Sequence, residues 1–299
     1  MSAAGSRGTV TSDVVIIGAG SVGLPLSWEL ARRGLSVVVL EQHPSVGRGE
    51  NRAAIGGIRA THSDAAKIHL GRRSLALVQE LEAEHGLAVD WLQNGYLFPV
   101  YDAEREATLS ALLTVQRAHG LEIDWVDAGR VAELVPGITT DGLRGGTFSP
   151  GDGSASPLKM ALAYDTLARR AGVDLRCGEG VRQVEHDGGR VAAVITDQGR
   201  YAAGVVVDAS GAHARQTGAL FGLDVPVEPD SHEAGITEPV QRFFQPMVVD
   251  IRPDQGSASY YFYQNREGQV VFCITPEPMI PGLDHDSTAE FLPQVIRRL

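Results

Sequence analysis

A glycine-rich turn between two short apolar strands constrains the fold more than any other feature of the sequence. Residues 13–17 form a β-branched run, residues 24–33 form an apolar segment with helical character, and residues 36–40 form a second apolar run. Strand, helix and strand in this order predict one βαβ unit over residues 13–41. Because the crossover is helical, the two strands are expected to pair in parallel.

The turn between the first strand and the helix has the spacing GxGxxG. It consists of Gly18, Ala19, Gly20, Ser21, Val22 and Gly23. The first glycine permits the tight turn, the second lets a pyrophosphate approach the backbone, and the third lets the helix pack closely on the strand. The amino end of the helix then offers N–H groups and a positive dipole to phosphate. The motif predicts a dinucleotide site.

An acidic residue ends the second strand at the spacing that such a site requires. Glu41 follows the apolar run, and Gln42 and His43 come directly after it and are included in the predicted site. A carboxylate here accepts hydrogen bonds from ribose hydroxyls and disfavours a 2′-phosphate, which favours FAD or NAD over NADP. The alternative is a glycine-rich βα turn followed by a surface glutamate.

Composition excludes several other classes of protein. With 26 Lys and Arg against 37 Asp and Glu, the net charge of −11 argues against nucleic acid or an anionic membrane as a partner. The two cysteines, Cys177 and Cys273, have no metal-ligand spacing, and Asp284, His285 and Asp286 predict a solvated turn rather than a metal site. Because no signal peptide or membrane span is recognisable, we expect a soluble cytoplasmic protein.

The rest of the chain reads as alternating helical and extended segments. Periodicity predicts helices over residues 65–85, 102–119 and 157–171, and a last helix from Ser287. It predicts strands over residues 96–100, 173–176, 181–186, 191–196, 205–209, 259–264 and 269–275. Residues 145–157 are rich in turn-forming types, and the sequence Asp187-Gly188-Gly189 predicts a hairpin turn.

Four further segments carry a resemblance to a known family. They are Glu50-Asn51-Arg52-Ala53-Ala54-Ile55-Gly56-Gly57-Ile58-Arg59, Gly95-Tyr96-Leu97-Phe98, Asp152-Gly153-Ser154-Ala155-Ser156-Pro157 and Val206-Val207-Asp208-Ala209-Ser210-Gly211-Ala212. From about residue 12 onward the chain resembles the FAD-dependent glycine/D-amino-acid oxidase family. Within it, the chain is most similar to the branch of the sarcosine oxidase β-subunit and the dye-linked proline dehydrogenase.

The resemblance implies an α/β fold in which a Rossmann-like FAD-binding domain receives an inserted substrate domain with a mixed sheet. The implied FAD-binding domain comprises residues 12–90 and 150–220, and the implied substrate domain comprises residues 91–149 and 221–299. The implied FAD contacts beyond the glycine motif and Glu41 are Arg52, Ala53, Ala54, Ile55, Gly56 and Gly57 along the ribityl chain and flavin ring, Val181 at the adenine, and Ala209, Ser210 and Gly211 at the end of a returning strand.

The family oxidises small amines or amino acids by moving a hydride from the carbon that bears nitrogen to flavin N5. Arg59 is the candidate for a substrate carboxylate, because guanidinium pairs with carboxylate through two hydrogen bonds; the alternative is an arginine that satisfies loop carbonyls or the flavin. Tyr261 and Tyr263 share one side of a strand and either line the substrate cavity or form a packing face. His62 either faces the flavin or makes local hydrogen bonds.

The end of the sequence departs from the family pattern. Family members continue with a segment that returns to the FAD domain, and this segment is absent from residues 1–299. A longer gene product, a partner chain that supplies the missing part, or a shortened paralogue without catalysis would each account for the departure. The alternative function is therefore a non-catalytic or partner-dependent FAD-binding subunit, with a second subunit or an electron acceptor as its partner. An NAD-dependent dehydrogenase would leave residues 52–59 and 205–211 unexplained.

Overall fold

The computed structural model describes residues 8–298 of the 299-residue chain. These residues divide into two units, each built from two separate stretches of sequence. The first unit comprises residues 8–54 and 157–229, and the second comprises residues 55–156 and 230–298. Each unit has its own main sheet and its own apolar core.

Strands and helices alternate along most of the chain. The strands are β1 (Thr9–Ile17), β2 (Val37–Glu41), β3 (Gly57–Ile58), β4 (Tyr96–Val100), β5 (Asp124–Asp127), β6 (Gly145–Ser149), β7 (Gly153–Ser154), β8 (Asp174–Cys177), β9 (Val181–Asp187), β10 (Arg190–Thr196), β11 (Arg200–Asp208), β12 (Ala234–Ile236), β13 (Met247–Asp250), β14 (Ser257–Gln264) and β15 (Val270–Pro276). The helices are α1 (Gly23–Ala31), α2 (Ala65–Ala83), α3 (Ala103–Ala118), α4 (Ala128–Leu134), α5 (Pro157–Arg170), α6 (Ala214–Leu220) and α7 (Phe291–Arg298).

The first unit is built on a six-stranded sheet with the order β8-β2-β1-β11-β10-β9. Strands β8, β2, β1 and β11 run parallel, β10 pairs antiparallel with β11, and β9 pairs antiparallel with β10. The run of β-branched residues at the end of β1 is fully buried, as expected for a strand flanked on both sides in a parallel sheet. Helices α1 and α5 pack together in this unit. This arrangement is the Rossmann-like fold, and the predicted βαβ unit is confirmed.

The second unit contains a mixed seven-stranded sheet with the order β12-β15-β14-β13-β4-β6-β5. Only the pair β4–β13 is parallel, and the other neighbours are antiparallel. Two short strands, β3 and β7, form a separate antiparallel pair. One apolar cluster of this unit joins Tyr96, Met247 and Tyr263, which come from three neighbouring strands. The strand that carries Tyr261 and Tyr263 therefore belongs to a packed sheet.

Two sequence predictions about elements were wrong. Residues 145–149, predicted as part of a turn-rich stretch, form β6 because β4 and β5 pair with them on both sides. The last helix begins at Phe291 and not at Ser287. There the Thr288 backbone N–H and hydroxyl both donate to the Glu233 carboxylate, at 2.8 and 2.6 Å, which holds the chain before the helix in a loop. The predicted hairpin is confirmed, since Asp187 pairs with Arg190 across Gly188 and Gly189, both at positive φ.

Strand β11 is paired unequally on its two sides. Strand β1 follows it along its whole length, from Arg200 to Asp208, whereas β10 pairs only with Arg200, Tyr201 and Ala202. Among the described residues, no strand pairs with the other edge of residues 203–208. Val205 in this stretch is 55% exposed, which is unusual for a valine inside a sheet. No helix between residues 8 and 298 combines the length and apolar character needed to cross a bilayer.

Candidate functional site

The first unit carries a glycine cradle at the end of β1. Gly18 adopts a positive φ of 106°, and a Cβ atom on it would lie 2.5 Å from the carbonyl oxygen of Ala209. A Cβ on Gly23 would lie 1.9 Å from the carbonyl oxygen of Gly18. A Cβ on Gly20, in contrast, would meet no atom within 4 Å. Two glycines are therefore required by the packing of the protein itself, and the one between them faces open space.

Helix α1 begins directly behind this cradle and has no side-chain cap. Val22 is the residue before the helix, no side chain accepts a hydrogen bond from its first turn, and that turn contains no acidic residue. The first-turn N–H groups of a helix need acceptors from outside the helix. An uncapped helix amino end beside the open face of Gly20 is suited to bind phosphate oxygens.

Glu41 is buried at the end of β2, with 7% of its surface exposed, and both of its carboxylate oxygens are fixed. One oxygen accepts from the backbone N–H of Ala19 at 2.9 Å, and the other accepts from the backbone N–H of His43 at 2.8 Å. Each carboxylate oxygen can accept a second hydrogen bond. Glu41 thus ties the glycine turn to the end of β2 and retains acceptor capacity for two hydroxyl groups.

These elements surround a pocket in the first unit. The predicted cofactor residues that line it are Gly18, Ala19, Gly20, Ser21, Val22, Glu41, Gln42, His43, Val181, Ala209, Ser210 and Gly211. Gly23 lies beneath the glycine turn and does not line the pocket. Arg52, Ala53 and Ala54 do not line it either, but they directly follow Glu50 and Asn51, which do. Ile55, Gly56 and Gly57 belong to the second unit. The residues implied for adenosine and phosphate thus lie around one pocket. The contacts of Ile55, Gly56 and Gly57 with the flavin ring remain a prediction.

Residues that sequence reasoning did not single out also line this pocket. The Glu179 carboxylate accepts from the Tyr201 hydroxyl at 2.5 Å and from the Thr196 hydroxyl at 3.1 Å, all three side chains being buried. Burial and the Glu179 carboxylate raise the pKa of Tyr201 to about 12, so its hydroxyl remains a donor. This network fixes the Glu179 side chain, and Glu179 lines the pocket together with Gly180 and Val181. No sequence motif predicts this network, because its three side chains come from β10, β11 and the loop before β9.

In the second unit, Arg59 is half-buried and has no acidic partner in the described part of the chain. Its guanidinium donates to the backbone carbonyl of Thr61 and lies 5.7 Å from the centre of the Phe98 ring, within range of a cation–π contact. A guanidinium has five N–H donors, and one acceptor does not satisfy them. Arg59 therefore contacts neutral groups, attracts the buried Asp152 carboxylate without forming an ion pair, and keeps N–H donors for an external anion.

Tyrosines from neighbouring strands occupy the same sheet face near this arginine. Tyr263 is buried, and its hydroxyl donates to the Ile55 carbonyl at 2.5 Å, so it anchors the segment that leads to Arg59. Tyr261 is partly exposed and pairs in register with Val249 and Cys273. Burial raises the pKa of Tyr96 and of Tyr261 above the usual value, so both hydroxyls are neutral donors. The sequence analysis assigned no role to Tyr96, although its hydroxyl is one of these neutral donors.

His62 is placed close to Arg59 by the same segment. Its backbone carbonyl accepts from the side-chain amide of Gln116 in α3 at 3.1 Å. Burial, followed by the charges of Arg59 and Lys67, lowers the pKa of its imidazole, and a hydrogen bond with the Arg59 main chain opposes this shift only partly. The ring is therefore neutral around pH 7. A role at the flavin stays a prediction.

The donor set in the first unit fits the adenosine diphosphate part of a dinucleotide. Open space at Gly20 and the uncapped α1 fit a pyrophosphate, and the oriented Glu41 fits the two hydroxyls of a ribose without a 2′-phosphate. Together with the parallel β2-β1-β11 order, these features define a Rossmann-type dinucleotide-binding protein. The family model described as FAD dependent oxidoreductase matches residues 13–299. The chain belongs to this FAD-dependent oxidoreductase family.

Individual relatives agree with this assignment. Mitochondrial dimethylglycine dehydrogenase from Rattus norvegicus is 31% identical over 261 residues, which cover 86% of this chain and 30% of the relative. Glycine oxidase from Geobacillus kaustophilus (strain HTA426) is 32% identical over 225 residues, covering 73% of this chain and 59% of the relative. The crystal structure of L-proline dehydrogenase from P. horikoshii matches with a TM-score of 0.89 at 29% identity, covering 97% of this chain and 76% of that chain. The chain thus spans less than two thirds of the length of dimethylglycine dehydrogenase and of glycine oxidase.

Replacing the buried carboxylate tests the adenosine side of the pocket. We expect Glu41→Gln to weaken FAD binding roughly tenfold, because a charge-assisted hydrogen bond contributes about 1.5–3 kcal/mol and the amide NH₂ cannot accept from the backbone N–H groups. Fluorescence titration of apoprotein with FAD measures the effect. FMN has no adenosine, so its affinity should stay the same, and the surface variant Glu29→Gln should match the wild type for both. Equal weakening of FAD and FMN would contradict the assigned role.

Proposed function

We propose that the protein oxidises the C–N bond of a small amine or amino acid that carries a carboxylate, with FAD as its cofactor. The observation that carries this proposal is Arg59, a half-buried guanidinium that contacts the Thr61 carbonyl and the Phe98 ring and makes no ion pair among the described residues. Such a group binds carboxylate through two parallel hydrogen bonds. Three relatives support the substrate class, since their names specify dimethylglycine, glycine and L-proline, which are all carboxylates.

Each group has a defined part in the proposed reaction. Arg59 binds the substrate carboxylate and so orients the carbon that bears nitrogen. The neutral hydroxyls of Tyr96 and Tyr261 are donors on the same sheet face, and Tyr96 packs in an apolar cluster with Met247 and Tyr263 that limits the access of water. The flavin supplies the acceptor for the hydride that leaves this carbon. The substrate leaves as an iminium ion, which water hydrolyses.

The first test is an absorption spectrum of the purified chain after incubation with FAD, followed by anaerobic titration with sarcosine, proline, glycine and D-alanine. We expect a flavin spectrum that is bleached by at least one of these compounds. Among sarcosine, proline, glycine and D-alanine, the compound that bleaches at the lowest concentration identifies the substrate class. A chain that never binds FAD, or a bound flavin that none of the four compounds bleaches, would contradict the proposal.

The second candidate is a partner-dependent FAD-binding subunit. It is favoured by the edge of β11 at residues 203–208, which offers unpaired backbone groups and the exposed Val205 to an additional strand. In the same titration, this candidate predicts a bound flavin that is bleached only after a second polypeptide is added. As part of either proposal we place the protein in the cytoplasm, which suits the two free thiols of Cys177 and Cys273.

A further inference from the structure

Asp152 is a fully buried acid in the turn between β6 and β7 of the second unit, with 0% of its surface exposed. A buried carboxylate is costly unless hydrogen bonds compensate it. Its oxygens accept from the backbone N–H of Ala60 at 2.8 Å, and from the backbone N–H and hydroxyl of Thr61 at 3.3 and 2.5 Å. All three donors belong to the two residues that follow Arg59. The carboxylate therefore fixes the backbone directly after this arginine.

Other contacts fix the same segment. A Cβ atom on Gly71 of α2 would lie 2.7 Å from the Arg59 carbonyl oxygen and 2.8 Å from the Ala60 Cα, so the helix backbone presses directly on it. The backbone carbonyl of Asp152 accepts from Gly95, which precedes Tyr96 in β4. Asp152 thus joins the arginine segment to the strand that carries Tyr96 and Phe98.

The orientation of the Arg59 side chain depends on these anchored groups. The guanidinium donates to the Thr61 carbonyl, and Thr61 is held by Asp152. It also lies against Phe98, whose strand begins at the residue after Gly95. The Asp152 carboxylate directs its lone pairs to backbone and hydroxyl donors and forms no ion pair with Arg59. The opposite charges of Asp152 and Arg59 attract each other without an ion-pair contact, so the acid orients the guanidinium and leaves its N–H donors available.

We propose that Asp152 is a positioning residue that holds the Arg59 guanidinium in the orientation that binds a substrate carboxylate. This inference rests on the proposed function, because it assigns Arg59 to the carboxylate. It adds a residue that acts through its hydrogen bonds to the backbone of residues 60–61 and to the Thr61 hydroxyl.

The test uses Asp152→Asn in the FAD-loaded protein. The amide keeps the size of the side chain, but its NH₂ group cannot accept, so at least one of the three hydrogen bonds is lost. We expect the KM for sarcosine or proline to rise about tenfold, while the KM or Ki for the carboxylate-free analogues dimethylamine or pyrrolidine stays unchanged. Hydrogen exchange at the amides of Ala60 and Thr61 should accelerate. Unchanged constants, or equal changes with both kinds of compound, would overturn the inference.

Two further sets of variants separate positioning from loss of stability. Thr61→Val removes one donor to Asp152 and should raise the KM for sarcosine or proline by a smaller factor than Asp152→Asn does. Thr61→Ser keeps the hydroxyl and should have the wild-type KM. Asp250→Asn alters another buried acid of the second unit, bound to Arg252 at 2.8 Å, and should leave the ratio between proline and pyrrolidine unchanged. If the wild type binds no carboxylate compound, the proposed function fails. Exchange at Ala60 and Thr61 then tests only whether Asp152 fixes this backbone, and unchanged exchange in Asp152→Asn overturns that part of the inference.

Discussion

Gly20→Val is expected to yield a folded protein that no longer binds FAD. A Cβ at this position meets no protein atom within 4 Å, so a side chain can begin here without a clash. It does fill the space that the glycine motif leaves for a pyrophosphate. We expect the FAD affinity to fall at least about 100-fold, equivalent to about 2.7 kcal/mol of binding free energy. Titration of the apoprotein by flavin fluorescence measures it.

Two other glycine variants provide the comparison for Gly20→Val. Gly8→Val introduces the same side chain at another open position outside the pocket and should leave FAD binding intact. Gly23→Ala would bring a Cβ to 1.9 Å from the Gly18 carbonyl oxygen, so it should lower the melting temperature of the apoprotein itself. Gly20→Val should melt within a few degrees of the wild-type apoprotein. Retention of FAD by Gly20→Val would show that the pocket does not bind the pyrophosphate at this turn.

Arg59→Met should raise the KM for sarcosine or proline by about 10- to 100-fold, as expected for the loss of a charge-assisted pair worth about 1.5–3 kcal/mol. Methionine replaces the unbranched stem of the arginine side chain with a similar flexible chain and removes every donor. The KM of Arg59→Lys should lie between those of the wild type and Arg59→Met, because an ammonium group keeps the charge but lacks the planar arrangement of donors. Steady-state kinetics on the FAD-loaded protein, with proline and pyrrolidine as a matched pair, measures the effect.

Arg72→Met is the control for the loss of an arginine. Arg72 also belongs to the second unit, and its guanidinium also donates to a backbone carbonyl, that of His119 at 3.0 Å. Its variant should show wild-type kinetics with both compounds. If Arg59→Met changed the constants for proline and pyrrolidine equally, Arg59 would affect the site in general, and another group would have to bind the carboxylate.

Elements that depend on neighbouring residues were predicted well in both units. The βαβ unit, the turn at Gly188 and Gly189, and helices α2, α3 and α5 follow from periodicity, caps and turn residues that act within a few positions of each other. Gly18 and Glu41 could be assigned for the same reason, because the motif and its spacing lie within one supersecondary unit. These residues predicted a dinucleotide cofactor without a 2′-phosphate, and the family resemblance specified FAD.

The sequence was less informative wherever distant contacts determine structure. Residues 145–149 look like a loop, since Gly145 and Gly146 favour turns, but pairing with β4 and β5 on both sides makes them a strand. The roles of Tyr263 and Asp152 were missed for a related reason. Their hydrogen-bond partners, Ile55 and residues 60–61, lie about 208 and 92 positions away along the chain, where no periodicity can reveal them.

The pairing of β1 with β11 has a consequence for the order of folding. Thr9 pairs with Arg200 and Ile17 with Asp208, so the central strands of the first unit meet only after residues 55–156 have been synthesised. Such distant pairing is entropically costly and slow. Because Gly18 and Glu41 come from the first stretch, and Val181 and Ala209 from the second, a complete pocket exists only after this closure. FAD capture is therefore a late step, and bound FAD stabilises the closed sheet by mass action.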